Sequence, residues 1–309
     1  MSSPALAEVT TTEPPAPPVP RRRTRRTAPW WFLAPALAFY LFVVIVPSVQ
    51  GTAFAFTDWD GLAQVKNFVG LDQFRRILDD SAATGAIVNT LVIGVGITVV
   101  QNLVGLLLAL GVHSRIKTRN LLRVLLFAPA VITSVATGYL WQNLMTTDGG
   151  LNQLLDLVGL GALRQDWLGN ADIALYSVIG VIVWQFAGYS MVIFLAGLQG
   201  IPEELVEASY VDGAGPFRRF WSIVRPLLAP AFTINLMLSI IGGLKLFDQV
   251  WVMTGGGPGG ATDTMSTLIY KNAFQFNDFG YGIAMALVLT LFVAVISGVQ
   301  YRLLGRQGK

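Results

Sequence analysis

A chain of 309 residues in which 53% are hydrophobic and 13% charged, with a mean hydropathy of +0.59, has too little polar surface to coat a soluble globule, so its medium is lipid. The net charge of +3 raises nucleic acid as a partner, but the basic residues stand at the ends of apolar runs instead of on one aromatic-rich face. The absence of cysteine excludes disulfides and thiolate chemistry, and a single histidine, His113, speaks against a zinc or haem site.

Residues 1 to 29 carry Pro14, Pro15, Pro17, Pro18 and Pro20, then Arg21, Arg22, Arg23, Arg25 and Arg26. Such a segment cannot bury a core and reads as a disordered tail, its arginines a topology signal and not a nucleic-acid site. The apolar run from Trp30 to Phe56 follows it. Ala53-Phe54-Ala55 imitates a signal-peptide cleavage site, yet the run exceeds the roughly 7–15 residues of a signal core and reads as a first span. Further spans are predicted at Ala86–Val112, Leu121–Leu144, Ile173–Leu198, Pro226–Phe247 and Tyr281–Leu304. A lone apolar segment of about 20 residues must satisfy its own backbone polar groups, so each span is a helix. The expected fold is therefore an all-α membrane protein with six transmembrane helices over residues 30–309.

Orientation follows from the Lys and Arg residues outside the spans. Fifteen fall on the side of the tail, among them Arg115, Lys117, Arg119, Arg218 and Arg306. Five fall on the other side: Lys66, Arg75, Arg76, Arg164 and Lys271. Both termini are expected in the cytoplasm.

The cytoplasmic connection 199–225, between spans four and five, is longer than its neighbours and organised. Pro202 suits the first position of a helix in which Glu203 and Glu204 meet the positive end of the dipole. Glu207 lies one turn beyond Glu203. Asp212-Gly213 supplies a turn, and Gly215-Pro216 opens a second helix through Phe217, Phe220 and Trp221. A bent helix pair on the membrane face has the shape to dock into a groove on another protein. A plain interfacial amphipathic helix would explain the aromatic residues but not the whole pattern.

Glu207-Ala208-Ser209-Tyr210-Val211-Asp212-Gly213-Ala214, followed by Ile223 and Pro226, resembles the EAA signature of binding-protein-dependent ABC importer permeases. Leu195 to Pro202 and Phe247 to Pro258 also resemble segments of the carbohydrate permeases, and the likeness, nearest to the maltose and glycerol-phosphate types, runs from Trp30 to Leu304. Ser209 stands where alanine is usual, and Arg225 precedes Pro226 where an apolar residue is common.

The resemblance implies a multi-pass subunit of the bacterial cytoplasmic membrane. Its implied partners are a second permease, two ATPase subunits and an extracytoplasmic sugar-binding protein, with lipid around it and no nucleic acid. On that analogy Glu207, Ala208, Ser209, Asp212, Gly213 and Ala214 couple the chain to the ATPases. The sequence has no G-x-x-x-x-G-K-[ST], so no cofactor is expected on this chain, and ATP and Mg belong to the partner subunits.

Polar residues inside spans face a cavity or another helix. The candidates are Asn89, Gln101, Asn102, Gln142, Gln185, Asn235 and Lys245, with Tyr139, Trp141, Trp184 and Tyr189 as aromatic neighbours. For any one amide, holding two helices together is the plainer role. By resemblance, Tyr189 matches a tyrosine lining the sugar site of maltose-type permeases. Ser239 and Gly243 match further site positions, and Trp184, Gln185 and Leu246 complete the implied solute pathway. Lys245, three residues before Asp248, reads as a structural ion pair, or as a substrate contact should the solute be anionic.

Two other classes fit less well. A secondary transporter would carry intramembrane acids, and the spans between Ala86 and Leu198 have none. A membrane-embedded enzyme would need clustered acid, base or metal-ligand groups, which no span offers.

Overall fold

The computed structural model describes residues 30–114 and 117–304; the predicted tail, 1–29, lies outside them. The chain divides into two units, residues 1–47 and 48–309. In the first, a 3-10 turn Trp30–Leu33 leads into helix from Ala34; the apolar helix α1, Trp31–Phe54, begins there and has its last residues, 48–54, assigned to the second unit.

The second unit is a helical bundle. It comprises α2 (Asp72–Asp79), α3 (Ser81–His113), α4 (Arg119–Val131), α5 (Ser134–Leu144), α6 (Gly150–Leu157), α7 (Ala171–Gln199), α8 (Glu203–Val211), α9 (Pro216–Leu227), α10 (Ala229–Leu244), α11 (Asp248–Thr254), α12 (Met265–Tyr270) and α13 (Phe279–Leu304). Among the described residues four helices, α1, α3, α7 and α13, are long and apolar enough to cross a membrane, and the count is six if each of two bent pairs is one span.

The bent pairs are where the architecture departs from the sequence expectation. The predicted third span, Leu121–Leu144, is α4 and α5 meeting at 95°. Pro129 has no N–H to continue the helical ladder, the chain tightens into a 3-10 turn over Ala128–Val131, and Ile132 and Thr133 are extended. Thr133 then caps α5 by accepting from the Ala136 N–H at 3.3 Å. The predicted fifth span, Pro226–Phe247, begins instead with α9 and α10 crossing at 71°. Pro230 cannot donate to the Pro226 carbonyl, so the bend falls at Leu228. The span ends at Leu244, and Phe247 precedes a new helix, α11.

Long, uniformly apolar α3 and α7 form the spine of the unit, with α10 laid against α3 and α11 against α5. Without a hydrophobic force between helices in lipid, close backbone approach and interhelical hydrogen bonds do the joining. A Cβ on Gly243 of α10 would stand 2.9 Å from the Gly94 Cα of α3, backbone that cannot give way, so that crossing requires glycine at 243. Nearby, Gln101 donates to the Ser190 hydroxyl at 2.8 Å, Asn102 to the Ser239 hydroxyl at 2.9 Å, and Asn235 to the Ser190 carbonyl at 3.0 Å.

Candidate functional site: a polar cavity and an exposed helix pair

At the break between α10 and α11 a cavity of about 480 Å³ opens, within the size range of small-ligand sites. Aromatic Tyr189, Phe186 and Phe247 line it together with Gln101, Ser134, Asn235, Ser239 and Gln249. The Asn235 side-chain oxygen is buried without a hydrogen-bond partner. Rings that stack on apolar faces and amides that answer hydroxyls are the lining a sugar asks for.

The predicted pathway residues separate on this geometry. Tyr189, Ser239, Gly243 and Leu246 line the cavity. Trp184 and Gln185 stand outside its lining. Trp184 packs edge-on against Trp141, with ring centroids 5.3 Å apart. Gln185, fully buried, donates to the Ile132 carbonyl at 2.9 Å and accepts from the Gln249 amide at 3.0 Å. It thus satisfies the backbone group that the bend between α4 and α5 releases, a condition for irregular backbone at membrane depth.

Other intramembrane amides join helices or loops. Asn89 donates to the Ala261 and Asp263 carbonyls at 3.1 and 3.0 Å, and Gln142 to the Met253 carbonyl at 3.4 Å. The Lys245–Asp248 ion pair expected from sequence does not form among the described residues: α10 ends at Leu244, α11 starts at Asp248, and both residues line the cavity. Sequence reasoning missed Phe186, Phe247, Asp248 and Gln249 as lining. For the last three the signal was the break after Leu244, masked by continuous apolarity.

The second site is the pair α8 and α9. Pro202 serves as the N-cap of α8 and not as its first helical residue, and Glu203 and Glu204 occupy the first turn. Gly213, at φ +70°, ends the helix in the left-handed region that glycine adopts without penalty, and the Ala214 N–H returns to the Ser209 carbonyl at 2.9 Å. Ser209 is buried, its hydroxyl bonded to the Val206 carbonyl. The Arg219 guanidinium lies 3.9 Å above the Tyr210 ring and ties α9 to α8. Glu207, Ala208, Asp212 and Gly213 face outward, beside exposed Val211 and Phe217. The Glu207 carboxylate has no hydrogen-bond or ion-pair partner among the described residues.

Residues 101–308, which hold most of the cavity lining and the whole helix pair, match the family described as the binding-protein-dependent transport system inner membrane component. The chain belongs to that family. Among its relatives, the probable starch degradation products transport system permease protein AmyD of Thermoanaerobacterium thermosulfurigenes is 36% identical over 271 residues, 88% of this chain and 91% of the relative. The multiple sugar-binding transport system permease protein MsmF of Streptococcus mutans is 32% identical over 274 residues, 89% and 94% of the two chains. The trehalose/maltose transport system permease protein MalF of Thermococcus litoralis is 34% identical over 276 residues, 89% and 92%. A chain of a bacterial ABC transporter involved in the import of the acidic polysaccharide alginate has the same fold, with a TM-score of 0.79 at 21% identity over 91% of this chain and 96% of that one. This permease is accordingly a multi-pass membrane component of a binding-protein-dependent transporter and a transport subunit, not an enzyme.

Proposed function

We propose that this permease imports a sugar or small oligosaccharide by alternating access, taking the solute from an extracytoplasmic binding protein and its drive from two ATPase subunits. The observation that carries the reading is the cavity at the α10–α11 break, which aromatic and amide residues line together. The printed names of the relatives, for starch degradation products, multiple sugars and trehalose/maltose, point to the same solute class.

The pair α8–α9 is the coupling element on this reading. Its outward Glu207 offers a charge-assisted hydrogen bond to a partner, Gly213 permits close approach, and Val211 and Phe217 supply apolar contact. The broken helices α4–α5 and α9–α10 give the bundle elements that can rock when the pair is pulled. A second, similar permease completes the pathway. ATP and Mg bind the ATPases, and the positive-inside count puts both termini, with α8 and α9, in the cytoplasm.

The test is uptake of radiolabelled maltose, trehalose, xylose and diacetylchitobiose by cells lacking this chain and cells complemented with it. Restored uptake of at least one sugar by the wild type supports the reading. Uptake of all four that is indifferent to the chain contradicts it.

A further inference from the structure

Lys245 and Asp248 are a cation and an anion three residues apart that do not pair. Lys245 follows the last helical residue of α10, where the negative end of the helix dipole favours a cation, and Asp248 occupies the first turn of α11, where the positive end favours an anion. Neither side chain has a hydrogen-bond or ion-pair partner among the described residues, so the bonding capacity of both is free. Both residues are exposed and line the cavity, and among the described residues no other charged residue lines it. The alternative, a closed salt bridge, would have removed both from service.

We infer that Lys245 and Asp248 are a separated charge pair that makes this cavity a site for an uncharged, polyhydroxylated solute and disfavours an acidic one. A sugar hydroxyl donates and accepts at once, so neighbouring hydroxyls answer an ammonium donor and a carboxylate acceptor together. A solute carboxylate would meet the ammonium but face the Asp248 carboxylate across the same space, and like charges in a confined site repel. The inference rests on the import reading for the identity of the cavity as the solute site.

The absence of cysteine permits a direct reading of the cavity's charge. Gly242 lines the cavity, and a Cβ there meets nothing within 4 Å, so Gly242→Cys places one thiol in open space. In the assembled transporter, the thiol's rates with an anionic and a cationic methanethiosulfonate reagent are compared. With both charges present, the ratio of the rates matches that of a free thiol. Lys245→Met should change the two rates about threefold in opposite senses, a roughly tenfold shift of the ratio toward the cationic reagent, and Asp248→Asn the same toward the anionic one, as a unit charge several ångströms away in a watery cavity does.

Maltotriose should slow labelling where a tri-galacturonate of equal concentration does not, and Asp248→Asn should narrow that difference. A ratio that neither substitution moves, a thiol inert to both reagents, or protection by tri-galacturonate but not maltotriose each overturns the inference. Labelling requires no turnover. A failure of coupling to the ATPases, which would sink the import reading, leaves this result untouched and is told apart from it.

Discussion

Replacing Gln185 by leucine removes the side chain that fastens the bend of the third span, and its cost can be worked from the hydrogen bonds it makes. Two groups lose their partner: the Ile132 carbonyl, 2.9 Å away, and the Gln249 amide, 3.0 Å away. At roughly 1–3 kcal/mol for each stranded buried group the loss would be about 2–6 kcal/mol. Within a membrane the unfolded reference state also finds partners, and measured interhelical bonds average about 0.6 kcal/mol with a maximum near 1.7, which sets the expectation at the lower end, about 2 kcal/mol. The assay is thermal unfolding of the purified transporter in detergent for Gln185→Leu, Gln249→Leu and the double variant. The double variant should cost less than the sum by about 1 kcal/mol, because one stranded group has been removed with its partner. Stabilities that are unchanged, or that add without coupling, would refute the bracing role. A changed solute affinity at constant stability would return Gln185 to the solute pathway.

Three further outcomes follow from particular contacts. Gly188→Ala drives a Cβ into the Leu126 carbonyl and to 2.9 Å from the Phe127 Cα, all backbone; it should destabilise by about 1–3 kcal/mol, and an unchanged melting temperature would contradict the packing of α7 on α4. Arg219→Ala, read as ATPase affinity in detergent, should weaken binding by about two- to fivefold, the equivalent of about 0.5–1 kcal/mol of cation–π contact; no change in either Arg219→Ala or Tyr210→Ala would remove the tie from the coupling element. In the loop after α1, the Asn67 side chain and then its backbone N–H hold the Asp58 carboxyl below its ordinary 3.8. A depressed folded-state value gives stability that is full above 3.8 and lost as pH falls through the folded value. Asn67→Ala should therefore raise the Asp58 titration midpoint toward 3.8 and expose residues 57–69 to pepsin at a higher pH, and an unmoved midpoint would contradict the assignment.

Composition alone made the membrane class legible, because hydropathy over about 20 residues is a length-and-polarity property that needs no tertiary information. The straight spans α3, α7 and α13 fall within a few residues of where their apolar runs placed them. The bends do not, for a reason seen at Ile132: continuous apolarity marks membrane depth and carries no sign of direction, and proline is tolerated in membrane helices often enough that Pro129 alone was not a stop.

The turn at Gly213 was legible because glycine at a helix end has one dominant backbone use. The partition of the amides was not. Gln185 and Asn235 look alike along a sequence, and only the facing carbonyls of Ile132 and Ser190 decide which helices each one joins. Lys245 and Asp248 were read as a pair from their spacing on one helix, and they separate because the helix ends between them.

The central claim, that the α8–α9 pair couples this chain to ATPase subunits, is met most directly by co-purification. The chain is coexpressed with a candidate ATPase and partner permease and recovered by a tag on this subunit, as wild type and as Gly213→Asp. A side chain at residue 213 meets nothing within 4 Å in its own chain, and aspartate tolerates the left-handed region better than most residues, so the substitution acts on whatever docks there. The account predicts that the ATPase comes down with the wild type and is lost from Gly213→Asp while the partner permease is retained. Equal recovery of the ATPase with both chains would contradict it.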